Sequence, residues 1–370
     1  MQLFIGLMSG TSSDAIDVAL VSFDECESSI LNIETYQEFP YPPHLKKQIT
    51  EMRISANRFS FEEIEKLNIR LGEIFANVVH QLLESTDFDH KDILAIGSHG
   101  QTVFHSPDSS PPFSVQLGDP NTIAAITGIK TIGDFRSMDI AVGGQGAPLA
   151  PAFHQTMFKT IDKNRIILNL GGIANITLLP ASPSKDIFGF DTGPANALLD
   201  DWIQKNQRES FDRNGEWAKT GNVIPTLLKA MLEDAYFRIV PPKSTGREYF
   251  NLDWLDKKIG VDNYKPEDIQ ATLLLLTVQS ITNAIDSLAI DLDEVIVCGG
   301  GAYNNYLIDL LSRSLHGIPV TSSTNFGIEP DSVEAVAFAW LAKRRLDNLP
   351  GNIPSVTGAT KEVLLGAIYG

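Results

Sequence analysis

A chain of 370 residues is too long for one ordinary hydrophobic core, so two domains are expected. Its 43% hydrophobic and 20% charged residues are those of a folded globular protein and exclude a disordered one. With 46 acidic against 29 basic residues the net charge is −17, which argues against nucleic acid and anionic membrane surfaces as partners and leaves any anionic ligand to local donors such as backbone amides.

In chain order, a first strand is predicted at 3–8, followed by the polar turn Ser9-Gly10-Thr11-Ser12-Ser13-Asp14 and strands at 16–23 and 31–38. Nothing basic precedes the first apolar stretch, and no apolar run reaches the ~18 residues of a membrane span. A cytoplasmic protein is expected, with Cys26 and Cys298 reduced. Helices follow at 43–53 and 60–85, the second with apolar residues at helical spacing. A strand at 93–97 ends in Ser98-His99-Gly100-Gln101-Thr102, and a helix at 120–128 and a strand at 129–133 lead to Asp134-Phe135-Arg136.

The second half repeats this order. Strands at 165–170 and 174–179 flank Gly171-Gly172, and a third ends at Phe188-Gly189-Phe190. Helices are predicted at 194–207, 223–234 and 265–288, then a strand at 294–298, Gly299-Gly300-Gly301, a helix from 303 and a strand at 318–321. Three strands, helices, strand, helix, strand therefore occurs twice, without detectable identity between the halves. Two further helices lie at the seams, and the expected division is 1–147 with 348–370, then 160–331, with crossing helices at 148–159 and 332–347.

The first turn, with its glycine and consecutive hydroxyls, could aim several donors at a phosphate, and Asp14 could touch a hydrated Mg²⁺ through water. A solvated hairpin turn is the plain alternative. It is not a P-loop, because no Gly-Lys-Ser/Thr ending is present. Gly171-Gly172 stands in the same context in the second half, and two such turns are expected to face each other across a cleft. Gly299-Gly300-Gly301, after a buried strand and before a helix, suits a nucleotide or simply a tight packing turn. Asp191, in Gly189-Phe190-Asp191-Thr192-Gly193-Pro194, follows an apolar strand. If Pro194 opens the helix, Asp191 lies too early to cap it, which favours a catalytic carboxylate. The segment Lys243-Ser244-Thr245-Gly246-Arg247-Glu248 reads as a charged surface loop in preference to an anion site. Neither cysteine has a nucleophile signature, and a Gly-x-Ser-x-Gly elbow is missing.

Together, Gly6-Leu7-Met8-Ser9-Gly10-Thr11-Ser12, Gly97-Ser98-His99-Gly100-Gln101-Thr102, Asp134-Phe135-Arg136, Gly143-Gly144-Gln145-Gly146-Ala147-Pro148, Phe190-Asp191-Thr192-Gly193-Pro194 and Cys298-Gly299-Gly300-Gly301 resemble the anhydro-N-acetylmuramic acid kinase family. So do Lys243-Ser244-Thr245-Gly246-Arg247 and the tail Val356-Thr357-Gly358-Ala359. The resemblance implies an α/β fold of two related ribonuclease H-like (actin/hexokinase-like) domains. Each would be a mixed five-stranded sheet flanked by helices, with ATP and Mg²⁺ bound in a cleft between them. It implies that water opens the anhydro bridge of 1,6-anhydro-N-acetylmuramic acid while O6 takes the γ-phosphoryl group, a step of peptidoglycan recycling.

On these residues the resemblance makes Asp191 the general base. It places ATP against Gly10, Thr11, Ser12, Ser13, Asp14, Ala15, Ile16 and Asp17 and, from the second half, against Gly171, Gly172 and Asn175. Gly299, Gly300 and Gly301 would meet the adenosine side. His99, Arg136 and Glu334 are the sugar-pocket candidates, with Arg136 the cation for the lactyl carboxylate. Ala15 and Met138 depart from the family's pattern, Met138 standing where a basic residue is expected. A kinase of the same fold for another anhydro or amino sugar is the near alternative, and an ATP-driven conformational switch the distant one. Members of this fold often dimerise, so a homodimer is one possible assembly.

Overall fold

The computed structural model describes residues 1–10, 14–25, 31–54 and 58–370. Contacts divide them into two units, Met1–Met157 with Ser332–Gly370, and Phe158–Asp331.

In the first unit, β1 (Gln2–Ser9), β2 (Ala15–Phe23) and β3 (Leu31–Pro40) form an antiparallel meander. Helices α1 (Pro43–Ile54) and α2 (Phe61–Glu84) follow. Ser60 and Glu63 form a capping box that starts α2, and Leu67, Leu71, Phe75, Val79 and Leu82 bury one stripe of it. Next come β4 (Ile93–Ser106), β5 (Phe113–Leu117), α3 (Pro120–Thr127), β6 (Thr131–Gly133), α4 (Ser137–Ala141) and α5 (Ala150–Phe158). β4 and β6 run parallel to β1.

In the second unit, β7 (Arg165–Leu170), β8 (Ile173–Leu179) and β9 (Phe188–Pro194) repeat the meander. They are followed by α6 (Asn196–Gln207), α7 (Pro225–Leu232), α8 (Leu252–Ile259), α9 (Pro266–Ser287), β10 (Glu294–Cys298), α10 (Asn305–Ser314) and β11 (Val320–Ser322). β10 is parallel to both β7 and β11. The chain ends with α11 (Val333–Leu346), α12 (Pro354–Thr357) and β12 (Ala367–Tyr369), all in the first unit.

The duplicated order is present: β3-β2-β1-β4-β6 in one sheet and β9-β8-β7-β10-β11 in the other trace the same path. The first sheet has seven strands rather than the expected five. β4 does not stop at Gly97 but runs on through alternating residues to Ser106 and turns back into β5, and the short β12 pairs with β6. Position 194 also differs from expectation. Ile173 pairs with Pro194 and Ala174 with Gly193, so β9 carries the proline and α6 begins two residues later.

One pair of glycines fixes how the first unit is layered. Gly6 and Gly97 are neighbours on β1 and β4, and α11 lies directly over them. A Cβ would stand 1.8 Å from the Ala335 carbonyl oxygen at Gly6 and 2.0 Å from that of Phe338 at Gly97. Only glycine admits that approach, and Ala335, Ala339 and Ala342 complete it from the helix side. The opposite face buries Ile5, Leu7, Ile16 and Val18 against α1, α2 and α3. In the second unit, α9 supplies Ile269, Leu273, Leu276 and Ile281 to a core shared with β7, β8, α6 and α10.

Candidate active site

In the first unit, the end of β1 is tied down before the turn begins. Ser9 Oγ donates to Gln101 Oε1 at 2.7 Å and accepts from the Tyr41 phenol at 3.0 Å, and Gln101 Nε2 donates to the Gly10 carbonyl at 3.2 Å. Burial raises the Tyr41 phenol far above its ordinary range, so it serves as a donor. Thr11, Ser12 and Ser13 lie outside the described residues. Asp14 is ion-paired with Lys46. Ala15, Ile16 and Asp17 belong to β2, where Ile16 buries its side chain in the core and Asp17 Oδ1 accepts from Tyr36 at 2.7 Å.

His99, Arg136 and Glu334, all in this unit, do come together. Arg136 donates from Nε and Nη2 to His99 Nε2 at 3.2 and 2.7 Å, and from Nη1 to the Gly146 carbonyl at 2.6 Å. Arginine cannot accept, so His99 Nε2 presents its lone pair and the ring proton is on Nδ1. Burial, then the Arg136 charge, holds His99 well below the ordinary imidazole value, so the ring is neutral. Burial lowers the Arg136 guanidinium to about 10, while Glu334 and then Asp139 hold its proton on. Burial raises the Glu334 carboxyl, against the pull of Arg136. Two of the five guanidinium donors stay uncommitted to these partners.

Asp139, fully buried, organises the loop beside them. Its Oδ2 accepts from Gly146 N at 2.8 Å, and its Oδ1 from Asn352 Nδ2 at 2.7 Å and Thr357 Oγ1 at 2.8 Å. Gly146 thus bridges the carboxylate through its N–H and the Arg136 guanidinium through its carbonyl, with φ +68° in the region that favours glycine. Met138, on α4, is exposed.

In the second unit, the strand register lines up a polar row. Cys298 pairs with Asn169, Asn169 with Asn175 and Asn175 with Asp191, so adjacent strands present these side chains together. The Gly171 and Gly172 carbonyls accept from the amides of Ala195, Asn196 and Ala197 at 3.0 to 3.1 Å, locking the turn to the start of α6. The turn's own amides make no backbone hydrogen bond among the described residues. Gly299, Gly300 and Gly301 lie between β10 and α10, as expected, though α10 begins at Asn305 and not at 303. A short 3₁₀ turn (Gly300–Tyr303) intervenes, and Asn304 Oδ1 caps α10 from Leu307 N at 3.1 Å. Packing explains two of these glycines: a Cβ on Gly301 would stand 2.6 Å from Leu170 Cβ, and one on Gly299 2.3 Å from Asn169 Oδ1.

Asp191 is half-buried and does not cap α6. Its Oδ2 accepts from Ser244 Oγ and from Thr245 N, both at 2.9 Å. Burial raises its carboxyl above the ordinary value, and Glu248 adds to that, while the Thr245 amide, the Ser244 hydroxyl and the Lys243 charge oppose it. The segment expected to be a plain surface loop therefore reaches the candidate base. Its composition and its share in the family resemblance are the signals the sequence holds for it; neither names its target, which lies 53 residues upstream. Among the described residues no three His, Cys, Asp or Glu side chains gather in a way that could hold a metal.

A family model described as anhydro-N-acetylmuramic acid kinase matches residues 2–370. A Coxiella burnetii (strain Dugway 5J108-111) anhydro-N-acetylmuramic acid kinase is 48% identical over 366 residues, covering 99% of this chain and 97% of the relative. One from Saccharophagus degradans is 47% identical over 372 residues, covering 99% and 98%. A solved Clostridium difficile activator of 2-hydroxyisocaproyl-CoA dehydratase, with bound ADPNP, aligns over 94% of this chain and 98% of its own at 11% identity and a TM-score of 0.46. At that level the likeness carries no argument.

Proposed function

This chain belongs to the anhydro-N-acetylmuramic acid kinase family, and from that premise we propose how its residues divide the reaction. The enzyme is a phosphotransferase that uses ATP and water to open 1,6-anhydro-N-acetylmuramic acid, giving N-acetylmuramic acid 6-phosphate and ADP for cell-wall recycling. Asp191 takes a proton from water as its oxygen bonds to the anomeric carbon. The anomeric bond to the bridging oxygen breaks, and that oxygen, now O6, receives the γ-phosphoryl group. The observation that carries this reading is the Asp191 carboxylate itself: half-buried, raised above its ordinary value, in a row with Asn169 and Asn175 at the Gly171-Gly172 turn. A general base must start the step deprotonated and be basic enough to take the proton from water, and a carboxyl raised above its ordinary value is the stronger acceptor.

The Gly171 and Gly172 amides, without backbone partners among the described residues, suit phosphate oxygens, and Gly10 to Asp17 would lie against the same phosphates, with Ala15, Ile16 and Asp17 held in β2 by pairing with β3. Gly299 to Gly301, packed on Leu170, would lie toward the nucleoside. Mg²⁺ would neutralise charge on the phosphates and be held mostly by their oxygens. The half-exposed Asp14 fits a single carboxylate contact through water, with Lys46 as its competing partner. Arg136, with two donors left, suits the lactyl carboxylate, and His99 and Glu334 fix its position. The exposed Met138 beside it favours a second reading, a wider tolerance for anhydro sugars lacking that carboxylate. No described helix is long and apolar enough to cross a membrane, and dependence on ATP supports a cytoplasmic location.

Mass spectrometry of the product formed in H₂¹⁸O tests the assignment. Wild type should place one ¹⁸O at the anomeric hydroxyl of the 6-phosphate, and Asp191→Asn should yield almost none. Full turnover by the variant would remove Asp191 from the reaction.

A further inference from the structure

We infer that Ser244 and Thr245 are positioning residues for the base, occupying Oδ2 of Asp191 and so assigning proton abstraction to Oδ1. The inference rests on the reading of Asp191 as the base. Every polar atom of Asp191 but one has a partner among the described residues. Its amide donates to the Lys243 carbonyl at 3.1 Å, its carbonyl accepts from the Tyr236 phenol at 2.7 Å, and its Oδ2 accepts from Ser244 Oγ and Thr245 N at 2.9 Å each. Oδ1 has none. A carboxylate oxygen that already accepts two hydrogen bonds is the poorer base of the pair, and the bare oxygen keeps its lone pairs for water.

The donors stand on a firm frame. Asp234 accepts from the Tyr249 phenol at 2.6 Å, Lys258 Nζ at 2.9 Å, the Trp254 indole at 3.0 Å and Tyr236 N at 3.1 Å. Burial opposes these bonds, yet together they pull the Asp234 carboxyl far below its ordinary range. The Phe250 ring, completely buried, packs between Tyr236, Tyr249 and Trp254. Lys243 Nζ donates to the Tyr236 carbonyl at 3.3 Å and lies 4.5 Å from the centre of that ring. The segment between these anchors is thereby pinned at Lys243, the residue before the two donors. The charged groups bearing on the Asp191 carboxylate are Lys243 and Glu248, of opposite sign. The arrangement makes two different demands on residue 244, a hydroxyl to donate and a short side chain to reach. Threonine satisfies both, alanine only the second.

The test is the pH dependence of kcat and kcat/KM, measured by ADP release from ATP and 1,6-anhydro-N-acetylmuramic acid, for wild type, Ser244→Ala and Ser244→Thr. Removing a donor to the carboxylate weakens its charged form, so the acid limb of Ser244→Ala should move to higher pH, by roughly one unit. The KM for the sugar should stay within about two-fold, and Ser244→Thr should restore the limb. Ser244→Cys, a weak donor of similar size, should fall between, and serves if the alanine variant does not fold. A uniform loss at every pH with the limb unmoved, or no rescue by threonine, overturns the inference. Asp191→Asn separates the two readings. If it is inactive while the Ser244→Ala limb is unmoved, positioning alone fails; if it is active, the base itself fails.

Discussion

Arg136, in the first unit, is a cation surrounded by acceptors: the His99 ring, the Gly146 carbonyl and, through space, Glu334 and Asp139. Asp191, in the second, is an anion held by uncharged donors, with the Lys243 cation bearing on it among the described residues. The first arrangement fixes a charge and the second leaves one adjustable. Even lowered to about 10, Arg136 keeps its proton at neutral pH, so it meets a ligand as a constant positive group. Neutral donors stabilise a carboxylate less than an ion pair does, and Asp191 stays raised, able to accept a proton and return it. Binding calls for the one kind of site, proton transfer for the other.

Asp191→Asn should cause the largest loss. The asparagine carbonyl can take the Ser244 and Thr245 donors, so the geometry survives while the proposed base does not. We expect kcat to fall roughly 10²- to 10⁴-fold with the sugar KM little changed, as steady-state rates would reveal. A variant with more than a tenth of the rate would break the comparison at its stronger end. Next is Arg136→Lys, which keeps the charge but cannot reach His99 and Gly146 with one ammonium. The sugar KM should rise roughly 10- to 100-fold and kcat change less, the loss of charged hydrogen bonds. A fall in kcat at unchanged KM would place Arg136 in the chemistry instead.

Asp139→Asn should act on stability rather than on either step. Its carboxylate takes three donors with no solvent contact, and an amide nitrogen in the Oδ2 position would confront the Gly146 N–H. A loss of about 2 kcal/mol is expected, read as a lower urea midpoint, with Arg136 loosened as the Gly146 peptide shifts. An unchanged midpoint would show that the loop at 143–147 does not depend on this carboxylate.

These cases also show what the sequence makes legible. Strands, the glycine turns and the place of Asp191 at the end of an apolar run announce themselves locally, through patterns that act within a few residues. The partners of those residues do not. Ser244 lies 53 positions from Asp191, and Thr357 lies 218 from Asp139. No periodicity links such pairs, because only the folded chain brings them together. Pro194 was misplaced for a related reason: its preference for a helix start is local, and pairing with Ile173 across β8 and β9 overrides it. Short edge strands such as β12, three residues long, carry too few alternations to be seen before their neighbour is known.

Smallest per pH unit is the expected dependence of folding on pH, to which the buried imidazoles and the raised carboxyls contribute with opposite sign. His99 is held below the ordinary imidazole value of about 6.5, and His154, buried, is lowered to about 3. Below pH ~6.5 an unfolded chain takes up protons that these two folded rings refuse. Their contribution is fully present above that pH and is lost as pH falls, by up to about 1.4 kcal/mol per unit for each ring. Asp191 and Glu334, both raised, do the reverse: the folded carboxyl holds a proton that the unfolded one has released, so stability is lost as pH rises through the folded value. Chemical denaturation of wild type, His99→Gln and Asp191→Asn between pH 4 and 8 separates the contributions. The glutamine variant should lose stability less steeply on acidification than wild type, and the asparagine variant more steeply in the window just above the ordinary carboxylate range. If His99→Gln matches the wild-type slope, His99 is not held neutral by burial and Arg136, and the fixed-charge description of the first unit fails.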